Sequence, residues 1–190
     1  IAKDVKFQVE FNPAMVQSYR LIGYENRLLN DEDFNDDTKD AGEMGAGHTV
    51  TALYELVPAG LSEQGPSIDP LKYQSEREIR TRRASEELMT IKLRYKKPGG
   101  SKSILMEIPY KEDVTAFDKA SGNMRFSAAV AAFGMVLRNS EHRGTAGFDS
   151  VIEMARNAMG DDEEGYRSEF IRLVKTAKAV SDELPVRVKY

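Results

Sequence analysis

The densest group of potential ligands in the chain runs from Asn30 to Glu43, where Asp31, Glu32, Asp33, Asp36, Asp37, Asp40 and Glu43 stand against a single basic residue, Lys39. Asp31, Asp33, Asn35 and Asp37 reproduce the alternate spacing of an oxygen-ligand loop, so Asp31, Asp33, Asp36 and Asp37 are the candidate ligands for calcium or another divalent cation. The rest of the pattern departs from an EF-hand. Its sixth position is Asp36, where the sharp turn needs glycine, and its twelfth is Gly42, where a bidentate glutamate belongs. The competing reading is a solvated acidic loop.

Gly42, Gly45 and Gly47 end at His48 and could in principle cradle a phosphate. A Walker loop or a dinucleotide fingerprint opens a helix, whereas these glycines lead into the strand-like Thr49-Val50-Thr51, which points to a tight turn, with an anion nest of backbone amides as the alternative. His48 and His142 belong to neither an H-E-x-x-H nor an H-x-E motif, and no G-x-S-x-G elbow is present. His48 reads as a turn residue whose ring hydrogen-bonds the backbone, and a hydrolase built on it is the weaker alternative.

Cysteine is absent from the 190 residues, which excludes disulfides, thiolate metal sites and cysteine nucleophiles. The 27 basic and 31 acidic side chains give a net charge of -4, against a generic nucleic-acid binder. Arg77, Arg80, Arg82 and Arg83, with Lys92, Arg94, Lys96 and Lys97, are interrupted by Glu76, Glu78, Glu86 and Glu87. They read as a solvated loop and the outer face of a strand. These groups compose no catalytic set, so the expectation is a non-enzymatic protein with no cofactor.

The elements that must position these residues follow from periodicity. Val5, Phe7, Val9 and Phe11 alternate with Lys6, Gln8 and Glu10, a strand with one buried face. Second and third strands are predicted over Val16 to Tyr24 and His48 to Val57, with long loops over 25–47 and 60–86. Met89, Ile91, Leu93 and Tyr95, then a Lys97-Pro98-Gly99-Gly100-Ser101 turn, then Ile104, Met106, Ile108 and Tyr110 form a β-hairpin. After Tyr110 the period changes to 3.6, and helices are predicted near 123–138, 148–159 and 165–181. The first is capped by Ser121 or Asn123 and, with Phe126, Ala129, Val130, Phe133, Val136 and Leu137, is expected to be mostly buried. The fold class is α+β: an antiparallel, β-sandwich-like region over 1–110 packed with a three-helix region over 111–190.

The longest weakly polar run, Ser127 to Leu137, is far short of the ~20 apolar residues of a spanning helix. Ile1 in place of Met suggests a cut through a longer protein.

Two stretches resemble a known family: Gly23-Tyr24-Glu25-Asn26-Arg27 through Ala41-Gly42-Glu43-Met44-Gly45-Ala46-Gly47-His48-Thr49-Val50-Thr51-Ala52-Leu53-Tyr54-Glu55, and the helical Ala128 to Arg138. They resemble the C-terminal region of bacterial YfbK-like proteins, and Gly165 to Val174 fits the same pattern. Gly45, Gly47, His48, Tyr54 and Glu55 are the motif residues. The resemblance implies an accessory region that follows a von Willebrand factor type A domain in the same chain, with an unidentified protein partner and no established enzymatic activity. That domain's D-x-S-x-S metal motif does not occur here, so none of its ligands transfers to these residues. Some members look like envelope lipoproteins, which implies a cell-envelope location, with any membrane contact made through an N-terminal lipid anchor outside this segment.

Overall fold

The computed structural model describes residues 1–23, 29–60, 86–111 and 114–183. The chain divides into two compact units, Ile1–Asp113 and Val114–Tyr190. The first is antiparallel sheet and the second is three helices, an α+β protein.

Six strands build the first unit: β1 (Ala2–Phe11), β2 (Val16–Ile22), β3 (Gly42–Met44), β4 (Leu53–Pro58), β5 (Glu87–Lys96) and β6 (Ile104–Lys111). One sheet has the order β3-β1-β5-β6, and β2 and β4 pair as a separate two-stranded ribbon. The expected hairpin is β5–β6, closed by the Gly100 amide donating to the Lys97 carbonyl at 2.8 Å. Phe11, buried on β1, joins the two sheets through ring contacts with Tyr19 at 4.5 Å and Tyr54 at 5.4 Å.

Two strand limits differ from the sequence reading. β2 stops at Ile22 because Gly23 takes a positive φ of 80°. β4 begins at Leu53 rather than His48, since Leu53 pairs with Ile22 and beyond it the partner strand has ended. The three residues of β3, inside the expected 25–47 loop, are too short to show a period. Tyr24, the excursion over 61–85 and its four arginines lie outside the described residues.

In the second unit, α1 (Gly122–Leu137), α2 (Phe148–Arg156) and α3 (Tyr166–Glu183) surround a core of Ala129, Phe133, Val136, Val151, Ile152, Ala155, Ile171 and Val174. Ser121 caps α1 by accepting from the Met124 amide at 3.1 Å. α1 is less buried than its composition predicts: one face packs, while Met124, Val130 and Leu137 stay exposed. α2 ends three residues before the predicted 159, because Ala158 and Met159 donate to carbonyls three residues back, a tightened last turn leading to Gly160 at φ 59°.

Asp162 caps α3, accepting from the Arg167 and Ser168 amides, both at 2.8 Å, and from the Ser168 hydroxyl. That hydroxyl is the foremost cause holding the Asp162 carboxyl below its ordinary value. The Arg167 guanidinium donates to the Ala158 and Met159 carbonyls and to Asn123, and lies 4.8 Å over the Phe126 ring. Among the described residues no helix is long and apolar enough to cross a membrane.

Phe133 packs edge-on against Phe170 at 5.5 Å and Phe148 at 6.4 Å. Phe133→Ala is expected to cost about 3 to 4 kcal/mol, whereas Leu137→Ala, at an exposed site of the same helix, costs under about 0.5 kcal/mol. Thermal melts followed by helical circular dichroism check the contrast.

Candidate functional site

Alternation on β1 predicts a solvated Lys6, yet Lys6 is only 2% exposed while Phe7 beside it is 54% exposed. The inversion starts at Asp4, which takes a positive φ of 52° where the β1–β5 register slips between Lys3 and Lys6. This bulge sets Lys6 opposite Arg94, so Lys6, Arg94 and, two residues along β5, Lys96 gather on one side of the sheet.

Three cations so close repel one another unless something neutral or negative covers them. The acidic loop does. The Lys6 ammonium donates to the Asp33 carbonyl at 2.9 Å and the Asp36 carbonyl at 2.5 Å. The Lys96 ammonium donates to the Asp37 carbonyl and to the Asp4 carboxylate, both at 2.7 Å. Arg94 reaches Asn35 and Ser103, each at 3.0 Å, and lies 5.5 Å over the ring of buried Phe34. Carbonyl oxygens that a metal loop would turn toward a cation are here turned toward ammonium groups built into the strands.

The candidate metal ligands are dispersed by the same arrangement. Asp33 pairs with Lys39 at 3.3 Å and accepts from Asn30. Asp36 accepts from the Thr38 amide and hydroxyl, and Asp37 from the Ser103 amide. Asp31 opens a short 3-10 turn, Asp31–Phe34, and its side chain lies outside the described residues. Among the described residues no three His, Asp or Glu side chains converge as ligands for a metal ion. Asp4 is held below its ordinary value first by the Lys96 hydrogen bond, Asp36 first by the Thr38 hydroxyl and Asp37 first by Ser103, while Asp4 pushes Lys96 upward.

The glycine-histidine motif is a turn. Gly47 has φ 77°, and the His48 amide donates to the Gly45 carbonyl at 3.4 Å. A Cβ on Gly45 would meet His48 Nδ1 at 2.8 Å, so glycine there makes room for the imidazole. His48 is exposed, and among the described residues no serine hydroxyl or carboxylate hydrogen-bonds its ring. His142 sits in a 3-10 turn, Glu141–Arg143, 3.5 Å from Glu141. Tyr54 packs on Phe11, where burial pushes its phenol upward, and Glu55 accepts from the guanidinium of Arg20, its cross-strand partner.

The other side of the main sheet is the apolar one. Register aligns Phe7, Leu93 and Met106 in one row, Val9, Ile91 and Ile108 in the next, and Phe11, Met89 and Tyr110 in a third, with Tyr95 and Ile104 beyond. The ribbon residues Tyr19 and Tyr54 cover Phe11, at the β1 end of its row. Phe7, Ile104, Met106, Ile108 and Tyr110 remain open. At roughly 200 Å² for a full side chain of this size, that leaves on the order of 400 Å² of contiguous apolar surface. Patches of that size on a folded protein mark contact sites. Sequence reasoning found these residues but took their side of each strand as buried, and it read Lys6 and Lys96 as polar-face residues open to solvent, where the structure buries both. The excess of carboxylates in one loop, against lysines on the polar positions of β1 and β5, was the available signal.

Residues 1–180 match the family model described as uncharacterized protein YfbK, C-terminal. The chain is 45% identical over 182 residues to the uncharacterized protein YfbK of Escherichia coli (strain K12), a match that covers 96% of this chain and 31% of that protein. The chain therefore spans about a third of the length of this curated relative. No solved structure matches it.

Lys6→Met leaves the Asp33 and Asp36 carbonyls without their buried donor and is expected to cost about 2 kcal/mol, with faster amide hydrogen exchange over residues 33–38. The clamp also has a defined pH range. Asp4, Asp36 and Asp37, held below 3.8 when folded, contribute fully above 3.8, and that stability is lost as pH falls through their lower folded values. Lys96, held above 10.5, contributes fully below 10.5 and loses its part as pH rises through its folded value. Loop protection, measured by hydrogen exchange corrected for intrinsic rate, is expected to hold through neutral pH, to fall as pH drops through the folded values of the three carboxylates, and to fall again as it rises through that of Lys96.

Proposed function

We propose that this chain, which belongs to the family defined by the C-terminal region of YfbK, works as a non-catalytic protein-binding support within a longer polypeptide. The observation that carries this reading is the half-open apolar side of the β3-β1-β5-β6 sheet, with Phe7, Ile104, Met106, Ile108 and Tyr110 exposed on it. A flat apolar surface on a rigid sheet suits association with another protein surface, whereas small-molecule sites are concave with a few convergent polar groups. The acidic loop fits the same role: its carbonyls and carboxylates hold the opposite side of the sheet closed and fix the strands that present the open side.

In this reading the supported part of the polypeptide is a von Willebrand factor type A domain ahead of Ile1, and the assembly works at the bacterial cell envelope. The greater length of the E. coli relative, of which this chain matches 31%, agrees with a further region in the full protein.

The test compares proteins captured by the full-length polypeptide with those captured after residues 1–190 are deleted. The deletion is expected to remove a defined subset of captured partners or, where the partner is the rest of the same polypeptide, to lower the melting temperature of that remainder; identical sets together with an unchanged melt reject the reading.

A further inference from the structure

The open rows on β1, β5 and β6 differ from ordinary scattered surface apolars in two respects. They are in register across three strands, and at one corner Phe11 is already covered by Tyr19 and Tyr54 of the ribbon. The result is a sandwich begun at Phe11 and open from Tyr110 through Ile108 and Met106 to Phe7. Sheets packed on one another bury such rows about 10 Å below the opposing layer, so the missing half of that layer is what the open rows fit.

The edge of the sheet is not the point of approach. β6 is the outer strand, and it carries Pro109, which has no N–H to give a neighbouring strand, together with Glu107 and Lys111. Proline and charge are the devices that block strand addition at an edge. An occupant therefore lies across the Phe7, Met106 and Ile108 side chains rather than along the β6 backbone.

We infer that this apolar side is closed by the segment that precedes the matched region in the full-length protein, docking within its own polypeptide. The inference rests on the protein-binding reading above and names the partner of that surface. Area separates the tethered occupant from a second copy of the chain. About 400 Å² is half of the roughly 800 Å² that each partner contributes to a standard stable complex, too little to hold free copies together at ordinary concentrations. A tether changes this, because a linked surface is presented at an effective concentration on the order of millimolar.

The family places this region at the C-terminal part of YfbK, and the match covers 31% of the E. coli relative, so the larger part of that protein lies ahead of the shared region. β1 spans Ala2–Phe11 and its open row starts at Phe7. Any segment joined at Ile1 is therefore held within about 20 Å of that row, at roughly 3.3 Å per strand residue. The occupant's chemistry is fixed by the surface: an uncharged, flat apolar stripe from a helix or a second sheet.

Because the chain contains no cysteine, single thiols report the state of this surface. Met106→Cys and Ile108→Cys are placed on the open rows, Phe7→Cys gives an independent position on β1, and Lys102→Cys in the exposed β5–β6 turn is the control. Each is made in two forms: the 190-residue chain, and a longer polypeptide in which the E. coli YfbK segment ahead of its matched region, its own cysteines replaced by serine, is joined to Ile1. Variants whose circular dichroism departs from that of the parent are set aside, and the remaining positions decide. Maleimide labelling at the three face positions is expected to be about tenfold slower in the longer form, at any protein concentration, with the control unchanged. Equal rates in the two forms overturn the inference while leaving the protein-binding reading to its own deletion test. Protection that appears in the 190-residue chain and grows with its concentration puts a second copy on the surface and overturns it as well.

Discussion

Two lysine ammonium groups withdrawn from water set the terms for the sheet. An ammonium buried without partners is costly by several kcal/mol, so Lys6 and Lys96 are tolerable only with the loop oxygens in place. The dependence runs in both directions. The Asp33 and Asp36 carbonyls each accept from a loop amide at 3.3 Å and take their shorter bond from Lys6, and the Asp37 carbonyl accepts from Lys96. Loop and sheet are thus conditional on one another, although Lys6 and Asp36 are 30 residues apart and Lys96 and Asp37 are 59. The bulge at Asp4 is what brings this about, since a strand without it sets Val5 opposite Arg94 and leaves Lys6 on the other side.

Among the described residues of the first unit, the acidic loop is committed to the charged side of the sheet, and the β2–β4 ribbon meets the apolar side only at Phe11. In the glycine-histidine turn, Gly47 with its positive φ turns the chain after β3, and Gly45 leaves room for the His48 imidazole beside it.

Much of this was legible in the residues. Strict alternation in β1, β5 and β6 and the i, i+3, i+4 spacing of Phe148, Val151, Ile152 and Ala155 place the strands and α2, because period is imposed by local geometry alone. Family membership was legible too, through the segment ending Gly-Ala-Gly-His-Thr-Val-Thr-Ala-Leu-Tyr-Glu. The candidate site was not. Alternation says that Lys6 and Phe7 point to opposite sides but is silent on which side is covered, and the answer depends on a loop about thirty residues away. The slip at Asp4 carries no glycine or proline to announce it. The alternate spacing of Asp31, Asp33, Asn35 and Asp37 suggested an external cation, yet the cations near this loop include Lys6, Lys39, Arg94 and Lys96 of the chain itself. The end of β4 at Leu53 was hidden for a similar reason: a strand lasts only as long as its neighbour.

The grip of Arg167 on the helical unit bears on how that unit assembles. One guanidinium joins the end of α2, through the Ala158 and Met159 carbonyls, to the start of α1, through Asn123 and the Phe126 ring, while its own backbone begins α3. Asn123 is 44 residues from Arg167, so this junction closes a long chain loop and is complete only when all three helices have met. A pair of helices that includes α3 has only two of the four groups that the arginine ties together. Such a keystone leaves a partly assembled bundle short of bonds that the complete one makes, and cooperative folding of α1, α2 and α3 together is the expected consequence.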